Sequence, residues 1–548
     1  MKNTTYFLIL FYVSVHIVNA QEIFRSINES LLPRGNDFVS WEKPQQYSKT
    51  YYTDAQNGKD TNDGTASKPF KTISKAAEVL QAGERVIIKA GVYRENIIPA
   101  RGGESPEKMI TYQAEEGKEV IIKGSIELPQ KGWDKVTAWQ YSTNRSLFDS
   151  SSNTLPEIFR YKLDGSWFGG YNPFGMTNVQ HDREWLQYQK VKMKSHFARR
   201  GMVFLNGRQI EQVEKPTELA EKDSGAFWIE HNGMTLHVRF PNGKTYKDYV
   251  IEITNKEQVF APQEYGLGYI KLKGIKFMHS GNGFPVPQRG MVSTTRGHHW
   301  IIEDCVIEGA NGTGLDMGTE MWHTVKPATF GYHIVRRNII RNIGLCGFAA
   351  SDAIGYLVED NLIENVGWQD AEHGFEAAGI KFHTAQNTLI RRNVFRNIKH
   401  ASGLWLDYQS NVNVRVTKNV FSNIITARGG IYVEAGHYYC HIDHNIFHKI
   451  FSQYWISGDY GAGGNALYTD GSDSIHFYNN FVFDIENSGY GCYLNAERIV
   501  GMRGGITRYH NIKNNLFLQC KKQAVELPNA YHELENNIYS EMPAGYLK

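Results

Sequence analysis

The sequence predicts an all-β chain: a parallel β-helix interrupted by an inserted β-sandwich domain and closed by a short N-terminal capping helix. Three observations predict it. An Asn (once an Asp) followed by apolar residues recurs at Asp304, Asn338, Asn361, Asn393, Asn419, Asn445, Asn480, Asn515 and Asn537, with 26 residues separating Asn393, Asn419 and Asn445 in turn. Such recurrence, in units with short β runs and no helical period, marks a β solenoid. Apolar residues two places on (Ile340, Ile363, Phe395, Phe421, Phe447, Phe517) fit a pile inside the coil, and the Asn residues fit a hydrogen-bonded corner ladder. Finally, residues of about 126–258 break the period with Trp133, Trp139, Trp167, Trp185 and Trp228 and the turn signals Asn206-Gly207, Asn232-Gly233 and Asn242-Gly243. Asn-Gly between alternating runs marks hairpins, here an antiparallel sandwich.

In chain order, residues 1–20 read as a signal peptide: Lys2, an apolar stretch from Tyr6 to Ile17, and Val18-Asn19-Ala20 before Gln21. The apolar stretch is short for a bilayer span. The expectation is export to the periplasm or medium as a soluble protein without a membrane anchor. Residues 21–50 form a polar leader. Residues 51–125 hold the cap and first coils, with Ile73, Ala76, Ala77 and Leu80 at helical spacing before Gly83. Such a cap shields the end rung of a stacked array. Residues 126–258 are the insertion, and 259–548 the β-helix with the active site.

Composition excludes several classes. The 548 residues include 52 Gly, 31 Tyr and 28 Phe against 16 Pro, a β-rich globular profile. Net charge is +2 with no basic stripe, so nucleic acid is not an expected partner. Five scattered cysteines (Cys305, Cys346, Cys440, Cys492, Cys520) make no disulfide framework, and Cys305 falls where other repeats carry Ile or Val.

The chemistry concentrates in three aligned segments: Gly379-Ile380-Lys381-Phe382-His383, Gly403-Leu404-Trp405-Leu406-Asp407 and Gly430-Ile431-Tyr432-Val433-Glu434. Period-2 alternation turns Ile380/Phe382, Leu404/Leu406 and Ile431/Val433 inward and sends the other set to solvent. Stacked ~4.8 Å apart, the segments place His383, Asp407 and Glu434 in one outward file. Like charges side by side are destabilising unless used, and Trp405 and Tyr432 fill the parallel file. Long coils contain Gly367–Glu376, Phe451–Gly464 and Gly318–Gly331; the first two precede strands at equivalent places and are expected to rim the patch, supplying Trp368, His373, Glu376, Tyr454, Trp455 and Asp459. Carboxylates ~5–5.5 Å apart suit retaining glycoside hydrolysis, one as nucleophile and one as acid/base. Spacing does not assign which is which. Trp405 and Tyr432 offer faces to a sugar ring; His383, Lys381 and Glu376 can bond its hydroxyls. No cofactor is required. Asp60, Asn62 and Asp63 are candidates for a structural calcium, although such a run also makes an Asx turn.

Tyr51-Tyr52, Asn62-Asp63-Gly64-Thr65, Pro69-Phe70-Lys71-Thr72-Ile73, Arg101-Gly102-Gly103 and the three strand segments together resemble glycoside hydrolase family 120. The resemblance implies a right-handed parallel β-helix interrupted by a β-sandwich, and a retaining, exo-acting β-xylosidase on xylo-oligosaccharides. On it, Asp407 matches the nucleophile and Glu434 the acid/base, and Glu376 falls near a further active-site glutamate. Two other readings remain: a lyase acting on a uronate-containing glycan, and a non-catalytic carbohydrate-binding β-helix. A zinc site at His298-His299 or His441-x-x-His444 lacks a third ligand at useful spacing.

Overall fold

The computed structural model describes residues 28–136, 157–175, 199–283, 288–318, 327–370, 376–408, 412–436, 439–452, 463–494, 507–528 and 531–540. The proposed signal peptide lies outside them. Among the described residues no helix is long and apolar enough to cross a membrane.

Three parallel sheets wind into a right-handed β-helix. Sheet A has 13 strands from Lys49–Thr53 to Glu533–Glu535, sheet B 12 from Gly91–Tyr93 to Ile538–Tyr539, and sheet C nine from Gly290–Ser293 to Gln523–Glu526. The apolar pile is present: Ile340, Ile363, Phe395, Phe421, Phe447 and Phe517 are all buried, and Phe395, Phe421 and Phe447 stack at 4.6 and 5.0 Å.

The Asn ladder fixes the corner between sheets A and B. The backbone N and Nδ2 of Asn393 both donate to Asn419 Oδ1, and Nδ2 also donates to the Val358 carbonyl. The pattern repeats along the corner, so buried amides find partners on every rung. The residue before each ladder Asn turns left-handed, with φ between 53° and 57° from Arg337 to Asn514. One expectation shifts by a residue. Val306 pairs with Ile339, so Cys305, not Asp304, occupies the ladder position, and the Cys305 N donates to Asn338 Oδ1.

The insertion leaves the helix undisturbed. Ile110 pairs directly with Ile270 and Ile122 with Phe277, so coils before and after it stack as neighbours. Its strands run from Ser125–Glu127 to Ile251–Thr254 in one continuous eight-stranded sheet. The expected pair of separate sheets is joined here, because Glu211 and Gln212 pair with Ala226 and Phe227. Its two halves nevertheless share one core, including Val203, Ile253, Phe227 and Val238.

The capping helix spans Ile73–Val79, with Thr72 Oγ1 accepting from the Lys75 N; Ile73, Ala76, Ala77 and Leu80 join the main core. The leader is a surprise. Residues 28–47 lie along sheet A as a strap. Leu32 is buried against Met109, Ile301, Ile334, Leu357 and Leu389, Glu29 pairs with Arg392 and Lys418, and Glu42 with Arg336.

Candidate active site

The first two site strands carry glycine near their start, where the coil is too narrow for a side chain. A Cβ on Gly379 would lie 2.5 Å from the Gly403 carbonyl, and one on Gly403 2.8 Å from that of Gly430. Glycine there lets successive rungs close up, which locks their register. Lys381 pairs with Trp405 and His383 with Asp407; Trp405 pairs with Tyr432 and Asp407 with Glu434. The file therefore reads as the alternation predicts.

Its exposure does not. Lys381 is 1% exposed, Trp405 4%, Asp407 6% and Glu434 5%. These side chains point out of the coil, yet they are covered rather than solvated. Part of the reason is Glu376, which folds back over the file: its carboxylate pairs with the Lys381 ammonium and lies 3.7 Å from His383 Nε2. Lys381 Nζ also lies 3.0 Å from Asp407 Oδ2, and His383 Nε2 3.2 Å from the same oxygen. Burial lowers the Lys381 pKa, but the Asp407 and Glu376 carboxylates outweigh it and raise it overall. The lysine is a fixed cation bridging two acids, packed 3.2 Å over the Trp405 ring. Trp405 in turn stacks on Tyr432 at 5.2 Å. Burial first, and then Glu434, push the Tyr432 hydroxyl well above its ordinary value, leaving a neutral phenol.

Oxygen and nitrogen atoms of Glu376, His383 and Asp407 lie within 4.8 Å of one another, a donor set a metal would accept. The Lys381 ammonium contacts both of those acids and supplies positive charge there. At the calcium candidates, Asp60 accepts from the Lys71 and Thr72 amides, Asp63 accepts from Thr65, and Asn62 donates to the Pro69 carbonyl. The Asp63–Thr65 contact is local turn geometry, whereas Asp60 and Asn62 tie the loop to residues 69–72.

The structure adds residues that the sequence reading passed over. Asp470 continues the file after Glu434, and Tyr468 continues the column of Trp405 and Tyr432. Their strand, Asn465–Asp470, has the same alternation, but Ala466 stands where the others have glycine. Arg428, 4% exposed, lies over the Tyr432 and Tyr468 rings at 5.8 and 5.0 Å. Trp368, expected at the rim, sits instead in a separate groove of about 740 Å³ between the insertion and sheet B. A cavity beside Glu376, Lys381 and His383 measures only about 10 Å³. His373, Tyr454, Trp455 and Asp459 lie outside the described residues.

Comparison with known proteins agrees with the architecture. Residues 265–482 match a family model described as "Right handed beta helix region", and residues 56–99 one described as "Protein of unknown function (DUF1565)". The uncharacterized protein YwoF of Bacillus subtilis (strain 168) is 36% identical over 80 residues, which span 15% of this chain and 17% of that protein. Among solved structures, XylC in complex with xylose superposes with a TM-score of 0.67 at 22% identity, covering 89% of this chain and 83% of that one. A GH136 lacto-N-biosidase from Eubacterium ramulus gives 0.41 at 13% identity, over 90% and 68%. The family model and the likeness to XylC establish the fold, a right-handed parallel β-helix.

Proposed function

We propose that the protein is a retaining, exo-acting β-glycosidase, acting on xylo-oligosaccharides through Asp407 and Glu434. The observation that carries this reading is the pairing of Asp407 with Glu434 on adjacent rungs, with Lys381 held against Asp407. Strand neighbours ~4.8 Å apart put the two carboxyls in the range for a nucleophile and its acid/base partner. The sugar rests on the resemblance to glycoside hydrolase family 120, and on the likeness to a protein whose structure holds xylose. The calcium expected near Asp60 is not needed for any step.

In the first step an Asp407 oxygen forms a bond to the anomeric carbon. The glycosidic bond breaks, and the leaving oxygen takes a proton from Glu434. In the second, the ionised Glu434 removes a proton from water. That water attacks the anomeric carbon and releases Asp407, with net retention. Lys381, fully buried and shared between Glu376 and Asp407, orients and charges the nucleophile rather than binding sugar hydroxyls. His383 Nε2 lies 3.2 Å from Asp407 Oδ2 and 3.7 Å from the Glu376 carboxylate.

The test is a panel of nitrophenyl α- and β-glycosides, with the product anomer followed by NMR. Release of β-xylose from the β-xyloside, falling by at least ~10³-fold in Asp407→Asn, is the expected result. In Glu434→Gln, azide should restore turnover and yield the β-glycosyl azide. Ultraviolet-absorbing ends from an acidic polysaccharide, with no glycoside cleaved, would establish the lyase reading instead.

A further inference from the structure

The groove between the insertion and sheet B lies away from the carboxylate file, and its volume of about 740 Å³ falls in the range of ligand sites. Its floor has an unusual composition. Every sheet B strand from Lys276–Ser280 onward, up to Leu516–Cys520, bulges at the same place. There one residue turns left-handed and drops out of register: His279, Gly309, Asn342, Asn365, Asn397, Asn423, Lys449, Asp484 and Gln519 in turn. Within the groove that column is asparagine on four consecutive rungs. The backbone alone does not demand it, because Lys449, Asp484 and Gln519 hold the same conformation further on.

These four amides differ from those of the buried ladder. Asn365 Nδ2 donates to Asn342 Oδ1, Asn397 to Asn365 and Asn423 to Asn397, one bond per step. Asn365, Asn397 and Asn423 are exposed. An amide carries two N–H donors and two acceptor positions, so each keeps hydrogen-bonding capacity for the groove. The period along the row is the rung spacing, ~4.8 Å, close to the advance of one residue in an extended β-linked glycan. Half-buried Trp368, whose Nε1 donates to the Asn342 carbonyl, stands beside the first amide and offers a ring face. Charge in the lining is balanced: Arg199, Arg208 and Lys399 against Glu211, Glu308 and Asp370. That balance favours a neutral chain over a polyuronate.

We propose that this groove is a second glycan-binding site. It takes an extended, neutral, β-linked polysaccharide segment that lies along the helix axis, one sugar to each asparagine rung. The site is separate from the carboxylate file and needs no turnover. It would hold the protein on a polymer while chain ends are processed elsewhere on the same molecule.

The test is affinity electrophoresis of the full-length protein in gels containing arabinoxylan, glucomannan or polygalacturonate. A double variant, Asn365→Gly with Asn397→Gly, removes two amides while keeping left-handed backbone permissible; Trp368→Ala is the second probe. Retardation by a neutral glycan, weakened about tenfold in both variants at unchanged melting temperature and unchanged nitrophenyl-xyloside hydrolysis, is expected. The proposal is overturned by any of three results. No neutral glycan retards the wild type; or both variants are retarded as the wild type is; or retardation vanishes when a 2-fluoro-xyloside covalently blocks Asp407, which would place binding at the carboxylates. Retardation without hydrolysis of any glycoside would sink the hydrolase reading and leave this one standing.

Discussion

Two outward files run along the same β-helix with opposite charge logic. On sheet A, Lys273, Glu303, Arg336, Glu359 and Arg391 occupy successive rungs, so each acid has cations above and below it. Arg336 lies 2.6 Å from Glu303 and Arg391 2.7 Å from Glu359. On sheet C the file reads His383, Asp407, Glu434, Asp470, three acids in a row. Register and spacing are shared, so the difference lies in what each column is for. Alternating signs stabilise the stack, whereas neighbouring like charges oppose it. Sheet C offsets that opposition sideways, through Lys381 in the adjacent column and the Arg428 guanidinium near Glu434. A file kept against its own electrostatics, and supplied with buried cations from the side, is the arrangement on which the proposed reaction site rests.

The sharpest way to break the comparison is to remove the sideways cation. Lys381→Met keeps the volume roughly constant and leaves Glu376 and Asp407 without their shared ammonium. With the cation gone, the charged form of Asp407, the proposed nucleophile, is disfavoured. Turnover of a β-xyloside should fall on the order of 10²-fold, and the acidic limb of kcat/KM should move to higher pH. A loss of rate with an unmoved acidic limb would mean that Lys381 acts only through packing.

The sheet A file should respond in stability, not in rate. Burial pushes the Glu303 pKa up, but Lys271 and Arg336 outweigh it and hold the carboxyl down at about 2, against an ordinary value of 4.5. A depressed acid stabilises the fold above its ordinary pKa and loses that contribution as pH falls through the folded value. Glu303→Gln should therefore cost about 3 kcal/mol at neutral pH with activity intact. The gap to wild type should close between pH 5 and pH 2. A gap that is constant over that range would assign the effect to geometry rather than charge.

How far these columns were legible depends on whether contacts follow the period. Asp407 and Glu434 could be aligned because glycine, two inward apolar residues and an outward acid repeat at matching positions. Asp470 carries the same signal, weakened by Ala466 in the glycine place. The role of Lys381 was not legible. Its partner Glu376 lies just outside the alternating strand, and no spacing encodes the contact between them. Trp368 failed for the same reason, since a loop residue near a site in sequence ended in a different groove. The Cys305 register slipped because Asp304 offers the same side-chain shape one position early.

The leader is the extreme case of a nonperiodic contact, and it allows the finest test of the sheet A face. Its residues show no alternation, so nothing in the segment itself announces a strap; the complementary signal lies far away in Arg336, Arg392 and Lys418. The strap completes the ion-pair face, and Leu32 is its apolar anchor at 3% exposure. Leu32→Ala should cost roughly 2–4 kcal/mol, read as a lower urea midpoint at unchanged slope. Glycoside turnover should stay at the wild-type level, because the strap contacts sheet A and the carboxylates stand on sheet C. An unchanged midpoint would show that the strap detaches in solution, and Arg336 would then keep its pair with Glu303 and lose that with Glu42. A fall in turnover at unchanged midpoint would instead couple the two faces, and the division between a stabilising file and a reacting one would fail.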